Sequence, residues 1–306
     1  MHLGNGIICP VTGIPMLAVA GITALYAFKK SKDMKDRVGV FAGKPLEIVM
    51  LTILVFAMQM INFAIPTTGS SGHIVGGILL AALIGPYAAF LAMCAILLVQ
   101  AVFFADGGLL ALGCNIFNMG ILACFVAYPI IYKPLADKKK PMLAAILAST
   151  VALQLGSIAV VIEATLSGSI QNSAIMNFTG LMQAIHLPIG IVEGIVTGGL
   201  IILSRFVDSK KLASVFGITS LALSGFIAQY ASTKPDGLEW SLLNISDSFV
   251  AQTQWSLYAV AESVQNKLAV LSTMQSSIAN LCGVIILAIL MFGICKILFL
   301  KTKITE

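Results

Sequence analysis

The sequence predicts an all-α membrane protein: a polytopic bundle of about nine transmembrane helices, seven plus two, with the N-terminus outside and the C-terminus cytoplasmic. Three observations carry this. The 306 residues have a mean hydropathy of +1.00. They are 58% hydrophobic and only 10% charged, where soluble domains carry about a quarter charged residues. Apolar runs of roughly 20 residues, the length a bilayer core of about 30 Å requires, recur along the chain. Basic residues favour cytoplasmic loops, and here they gather at residues 29–37, 133–140, 205–211 and 296–303. The net charge of +5 comes mostly from these clusters, so no nucleic-acid partner is inferred from it.

The spans follow in order. Residues 14–28 form the first helix and residues 46–65 the second, after which the polar turn from Pro66 to Gly72 lies outside. The apolar run 74–105 would make a single helix about 48 Å long, too long for the bilayer. Two flanking clusters on the inside also demand an even number of crossings between them. A break at Gly85-Pro86 satisfies both conditions. Its first piece, 74–84, is then a helix of about 16 Å buried in the bundle, tolerated where protein or a cavity satisfies the backbone. Further helices cover 112–132, 142–166, 181–203, 212–230 and 277–300, and a polar outside stretch of about 50 residues joins the last two. The cluster at 205–211 divides the chain into a membrane domain, 1–204, and a two-helix module with its outer loop, 205–306. No basic residue precedes Lys29, the reverse of a cleaved signal peptide, so Met1 and His2 are expected in the mature chain.

Chemistry is scarce. Of three histidines, His2 and His73 fall on the outer side. The Met1 α-amine, the His2 backbone nitrogen and the His2 imidazole can close adjoining five- and six-membered rings around one metal, and His73 can supply a fourth nitrogen. Four nitrogens in a plane suit nickel(II) or copper(II) better than tetrahedral zinc, and cobalt(II) is also compatible. The plainer alternative is a frayed His2 and a His73 that caps the short helix. An ionisable residue beside a break at membrane depth favours function. His186 and Glu193, seven residues apart, share a helix face; they either support such a site or fix the packing of two helices. Glu163 in the outer part of the sixth helix is expected to reach the interface, and Glu47 suits the dipole at the start of the second. Asp106 with Gly107 and Gly108 reads as an outer turn. The six cysteines have no metal-ligand spacing, and the 13 methionines are scattered as apolar fillers. No GxxxxGK[ST] phosphate loop and no Ser/His/Asp arrangement appear. The chain is therefore read as a non-enzyme without its own energy source or bound cofactor.

The sequence resembles the CbiM/NikM family of cobalt and nickel energy-coupling-factor transporters. The resemblance covers about residues 1–204 and rests on Met1-His2, on Pro66-Thr-Thr-Gly-Ser-Ser-Gly-His73-Ile-Val-Gly-Gly77, on the stretch from Asp106 to Met119, and on His186-Leu-Pro-Ile-Gly-Ile-Val-Glu-Gly194. Pro235-Asp-Gly-Leu-Glu-Trp240 resembles the signature of the small CbiN/NikN component, here fused behind the first. The family implies a substrate-binding subunit of an ATP-driven importer in the cell membrane, with a transmembrane coupling subunit and ATPase subunits as partners. It implies nickel or cobalt held by Met1, His2 and His73, with Ser71, Asn115, His186 and Glu193 as supporting residues. One departure is that the usual Ile-Pro-Asp-Gly after Met-His is here Leu3-Gly4-Asn5-Gly6, which leaves nickel and cobalt undivided. Two other function classes stay open: a secondary metal carrier or channel needing no ATPase, and a substrate-binding component for an organic micronutrient.

Overall fold

Each of the nine predicted segments contains a helix in the computed structural model, which describes residues 1–33 and 39–299. In chain order the helices are α1 (Pro10–Lys32), α2 (Pro45–Gln59), α3 (Gly77–Ile84), α4 (Pro86–Phe104), α5 (Leu112–Asp137), α6 (Pro141–Leu166), α7 (Ile175–Leu203), α8 (Ser209–Gly225), α9 (Gly237–Leu243), α10 (Ser256–Leu268) and α11 (Ser276–Phe299). Among the described residues six helices, α1, α4, α5, α6, α7 and α11, are long and apolar enough to cross a membrane. The protein is thus a multi-pass membrane protein. Helices α2, α3 and α8 are shorter, at 15, 8 and 17 residues. Leu300, residues 34–38 of the first basic cluster and residues 301–303 of the last lie outside the described residues.

Local sequence explains the boundaries. Pro10, Pro45, Pro86 and Pro141 each open a helix, where the missing N–H costs nothing. Lys29, Lys30 and Lys32 close α1, their charges facing the negative end of its dipole. The expected break separates α3 from α4, with Gly85 at φ 81°, a backbone conformation that glycine adopts without strain.

Three expectations are corrected. The second helix ends at Gln59 rather than at residue 65, and Phe63–Ala64 pairs antiparallel with Ser71–Gly72. Among the described residues this two-stranded hairpin is the one sheet beside the helices. Thr67 at φ 66° and Gly69 at φ 77° turn it, and the Ser71 N–H donates to the Pro235 carbonyl at 2.8 Å, so the second module supplies the hairpin's missing partner. The third helix begins at Gly77 rather than at residue 74 because Gly76 is left-handed. Finally, the outer stretch before α11 is folded rather than a plain loop. It holds α9 and α10, and its main chain bonds to Asn62, Ser169, Gly6 and Phe103 through the N–H groups of Ser232, Val250, Gln252 and Leu271. Sequence polarity correctly marked this stretch as lying outside the apolar spans; polarity does not distinguish a free loop from one pinned by tertiary bonds.

Burial separates centre from rim. In α4, α5 and α6, 56% of the apolar window is buried, against 17% in α1, so α1 is peripheral and shows Val11, Ile14 and Leu25 to the outside. Its Ala20 is buried within the chain. The most extensive helix pairing is α6 with α7, where Gly190, Gly194 and Gly198 form one stripe. A methyl group on Gly190 would meet the Thr150 backbone at 2.7 Å, and one on Gly194 would strike the Ile146 backbone. Small residues every fourth position let helices approach this closely in lipid. The Gly194→Val substitution is therefore expected to cost about 1–3 kcal/mol by overpacking and to lower the detergent melting temperature, while Gly199→Ala, with open space around it, leaves it unchanged or raised. Equal melting temperatures for both would contradict the close packing.

Candidate metal centre

The N-terminal segment is inserted among the helices instead of fraying into solvent. Leu3 and Ile8 are fully buried and Met1 nearly so. A main chain at such depth must find partners. The Leu3 N–H donates to Asn115 Oδ1 at 2.8 Å, and Asn115 Nδ2 and the Gly108 N–H donate back to the Leu3 carbonyl at 3.1 and 2.8 Å. Asn5 is a second fastener: its Oδ1 accepts from the Leu110 N–H at 2.9 Å, and its Nδ2 donates to Gln265 Oε1 at 2.6 Å and Glu262 Oε2 at 3.1 Å. A side chain on Gly108 would collide with Asn5, so the glycine turn after Asp106 is what lets the segment in.

His73 is positioned by its own loop. The Glu193 carboxylate on α7 accepts from the Val75 N–H at 2.8 Å and the Gly76 N–H at 3.2 Å. It therefore binds the free donors just ahead of α3, and the positive end of a helix dipole favours that charge. Gln59 Nε2 donates to the Val75 carbonyl at 2.7 Å from the other side.

These two anchored segments bring the imidazoles of His2 and His73 together, with ring centroids 5.1 Å apart and planes inclined at 59°. Both ring nitrogens of His2 and Nδ1 of His73 are buried without a hydrogen-bond partner. Asp106 Oδ1 lies 3.3 Å from His2 Nδ1 but lacks the alignment of a hydrogen bond. Buried unpaired nitrogens of this kind call for an explanation. The Met1 ammonium, at the same site, meets Asp236 Oδ2 at 3.2 Å, while Asp236 Oδ1 accepts from the Glu239 N–H at 2.8 Å and caps α9. The second module thus delivers a carboxylate to the first residue of the chain.

Electrostatics keeps the imidazoles neutral. Burial, then the nearby Met1 ammonium, pushes His2 down to about 3. Burial, then repulsion from His2 and the ammonium, pushes His73 down to about 3. Burial alone would raise the Asp236 carboxyl; the ammonium and the Glu239 N–H outweigh it and hold the group below the ordinary carboxylate range. An outward cleft of about 750 Å³, lined in part by Asp106, Asp236, Glu239 and Lys234, reaches both rings. Among the described residues no group of three or more His, Cys, Asp or Glu side chains can hold a metal ion. A cation here would need main-chain nitrogen as well as the two rings, and that is what Met1 and His2 offer.

The supporting residues divide. Asn115 and Glu193 hold the segments that carry His2 and His73. Ser71 Oγ donates to the Lys234 carbonyl at 2.8 Å and so binds the second module rather than the histidines. His186 lines a small cavity with Met1, His73 and Asp236, and its Nδ1 meets the Met182 carbonyl at 2.7 Å. His186 and Glu193 do not pair with each other, because seven residues along a helix separate them by about 10 Å. Glu163 is buried, accepting from Asn118 Nδ2 at 2.7 Å, instead of reaching the interface. Glu47 stands in the first turn of α2 as expected and accepts from Ser209 Oγ at 3.3 Å. Sequence reasoning missed Asp236, Gln265 and the fastening role of Asn5. The Asp236-x-x-Glu239 spacing is a helix-start signal that fixes Asp236 as a cap. Nothing local reveals its second partner, 235 residues away in the chain.

Comparison with known proteins adds independent findings. The model of the cobalt uptake substrate-specific transmembrane region matches residues 2–210, and the PDGLE domain matches residues 210–300. The chain is 39% identical over 147 residues to a putative fused nickel transport protein NikMN of Archaeoglobus fulgidus, and 37% identical over 135 residues to a probable fused nickel transport protein LarMN of Lactiplantibacillus plantarum. These stretches are 48% and 42% of this chain and span about half or less of the relatives, 48% and 38%. A cobalt transport protein CbiM of Sorangium cellulosum is 29% identical over 67% of this chain and 91% of its own length. A crystal structure of a transition metal transporter superposes with TM-score 0.58 and 29% identity, covering 72% of this chain and 98% of that one.

Asn115→Ala removes two of the bonds that keep Leu3 inside. It is expected to release the N-terminal segment at a cost of about 1–3 kcal/mol for the buried donor left unpaired. Amide hydrogen exchange over residues 2–8 should speed up by roughly tenfold or more, 1.4 kcal/mol being a factor of ten, with α6 and α7 unchanged. Unaltered exchange would mean that Asn115 is not the fastener.

Proposed function

This chain belongs to the family of cobalt uptake substrate-specific transmembrane proteins, with a PDGLE domain fused behind it; from that premise we propose that it captures a divalent transition metal, nickel(II) in preference to cobalt(II), for uptake into the cell. The cation is held by the Met1 amine, the His2 amide and imidazole nitrogens, and one nitrogen of His73. The observation that carries this is the pair of neutral imidazoles, 5.1 Å apart with buried, partnerless nitrogens, beside the buried chain start. The preference for nickel rests on the planar arrangement that four such nitrogens can adopt around nickel(II), and the fused relatives are named for nickel.

The rest of the reading follows from the site. Metal enters through the cleft lined by Asp106 and Asp236, crosses a bundle of nine spans with the N-terminus outside and the C-terminus inside, and is released to the cytoplasm. The first 204 residues bind cargo, and residues 205–306 hold the amino end over the site through Asp236. The chain has no nucleotide-binding motif, so energy comes from ATPase subunits acting through a transmembrane coupling subunit. The cage requires that the mature protein start at Met1.

Two measurements test this. Calorimetry with nickel should show one site per chain that disappears when a single residue is added before Met1 and weakens at least a hundredfold in His73→Ala; undiminished binding in the extended protein overturns the cage. The pH dependence has a defined source. Imidazoles whose values are lowered to about 3 are already neutral at pH 5 and so do not compete with metal between pH 5 and 8. The amine and the amide must release protons instead, and affinity should fall about tenfold per pH unit for each proton displaced. A flat profile from pH 8 to 5 would leave only the imidazoles as ligands.

A further inference from the structure

Helix α10 has two faces, and only one of them is explained by the site. Gln265 and Glu262 grip Asn5, Gln265 Nε2 also donates to the Ala101 and Gly107 carbonyls at 2.8 and 2.7 Å, and Tyr258 lies beside Gly6. The adjacent face carries Leu257, Val260, Val264 and Leu268, spaced by three, four and four residues and therefore aligned as one apolar stripe. All four are exposed, Val260 by 56%.

The height of this helix in the bundle says what covers the stripe. Its last turn and the residues after it are bonded to the final turn of α4: Gln265 to the Ala101 carbonyl, and the Leu271 N–H to the Phe103 carbonyl at 3.0 Å. Span α11 begins at Ser276, eight residues past the end of α10. Exposed apolar side chains recur at Val270 and Met274 after α10 and at Ile278, Ile285 and Ile289 of α11, the kind of surface that a membrane-spanning helix turns to lipid. Glu262 and Lys267 are the only charges on α10, and they cancel, so attraction to anionic headgroups is not the driving term.

We propose that α10 is an interfacial helix. It lies at the boundary of headgroups and acyl chains on the side of the N-terminal segment, its apolar stripe in lipid and its polar face bracing that segment. Short helices with one apolar and one polar face bind membranes in this way. The lipid contact stands on geometry alone, and its consequence for cargo rests on the metal-binding reading above.

The test uses the full-length protein in phosphatidylcholine proteoliposomes. The chain has two tryptophans, so Trp240→Phe with Trp255→Phe provides a blank background for Val260→Trp, Val264→Trp or Asn266→Trp. Lipids carrying a quencher near the headgroup end of the acyl chain should quench Val260→Trp and Val264→Trp at least threefold more than Asn266→Trp, with no change when anionic lipid is added. Quenching of the stripe positions by aqueous iodide instead of lipid overturns the proposal, as does shielding from both, which would signify a protein partner or a second copy. Val260→Asp with Val264→Asp should speed exchange of residues 2–8 about tenfold, and unchanged exchange overturns the bracing role. Lipid quenching in a protein that binds no nickel sinks the metal reading and leaves this one standing; nickel binding without lipid quenching does the opposite.

Discussion

A positively charged chain end can be buried only if something negative meets it, and the organisation around the N-terminal segment follows from that constraint. An unpaired ammonium in a low-dielectric interior is far too costly to persist. Asp236 removes the cost by meeting the amine at 3.2 Å, and its other oxygen is locked as the cap of α9. The rest of the segment then needs partners for its peptide groups, which Asn115, Asn5 and Gly108 provide. The dependence between the two parts of the chain is thus physical: the first places its own start inside, and the second makes that placement affordable.

The same constraint governs the loop that carries His73. His73 lies on irregular backbone at depth, where free N–H groups are expensive. Glu193 spends both carboxylate oxygens on the donors ahead of α3 and leaves the imidazole unclaimed. Near the site Glu193, Asn115 and Gln59 hold backbone and Asp236 meets the amine, while the two rings have nitrogens left without a hydrogen bond, Asp106 Oδ1 standing 3.3 Å from His2 Nδ1 without making one. That pattern separates a place kept open for a ligand from an ordinary buried network, in which the rings would themselves be satisfied. Among the described residues side-chain geometry alone identifies no metal site, and in the proposed cage half of the nitrogen belongs to the main chain.

Much of this was legible in the sequence because hydropathy and charge act locally. The long apolar helices and the break at Gly85-Pro86 follow from composition and span length; chelating geometry offered the grouping of Met1, His2 and His73 as one of two readings, and the family resemblance favoured it. What remained hidden depends on contacts distant in sequence. Helix α2 stops six residues early because a hairpin gains a partner from residue 235. The polar stretch before α11 reads as a loop, since its order comes from bonds to Gly6, Ser169 and Phe103 rather than from its own periodicity. Asn5 stands where the family usually has Asp, and its amide both donates and accepts, which an ionised carboxylate cannot do.

The nitrogen cage is tested most directly by X-ray absorption at the nickel K-edge on the purified, nickel-loaded protein with its native amino end. The account predicts a planar four-coordinate centre with nitrogen neighbours only and outer-shell scattering from two imidazoles. A six-coordinate centre dominated by oxygen, or one with a single imidazole, would contradict it.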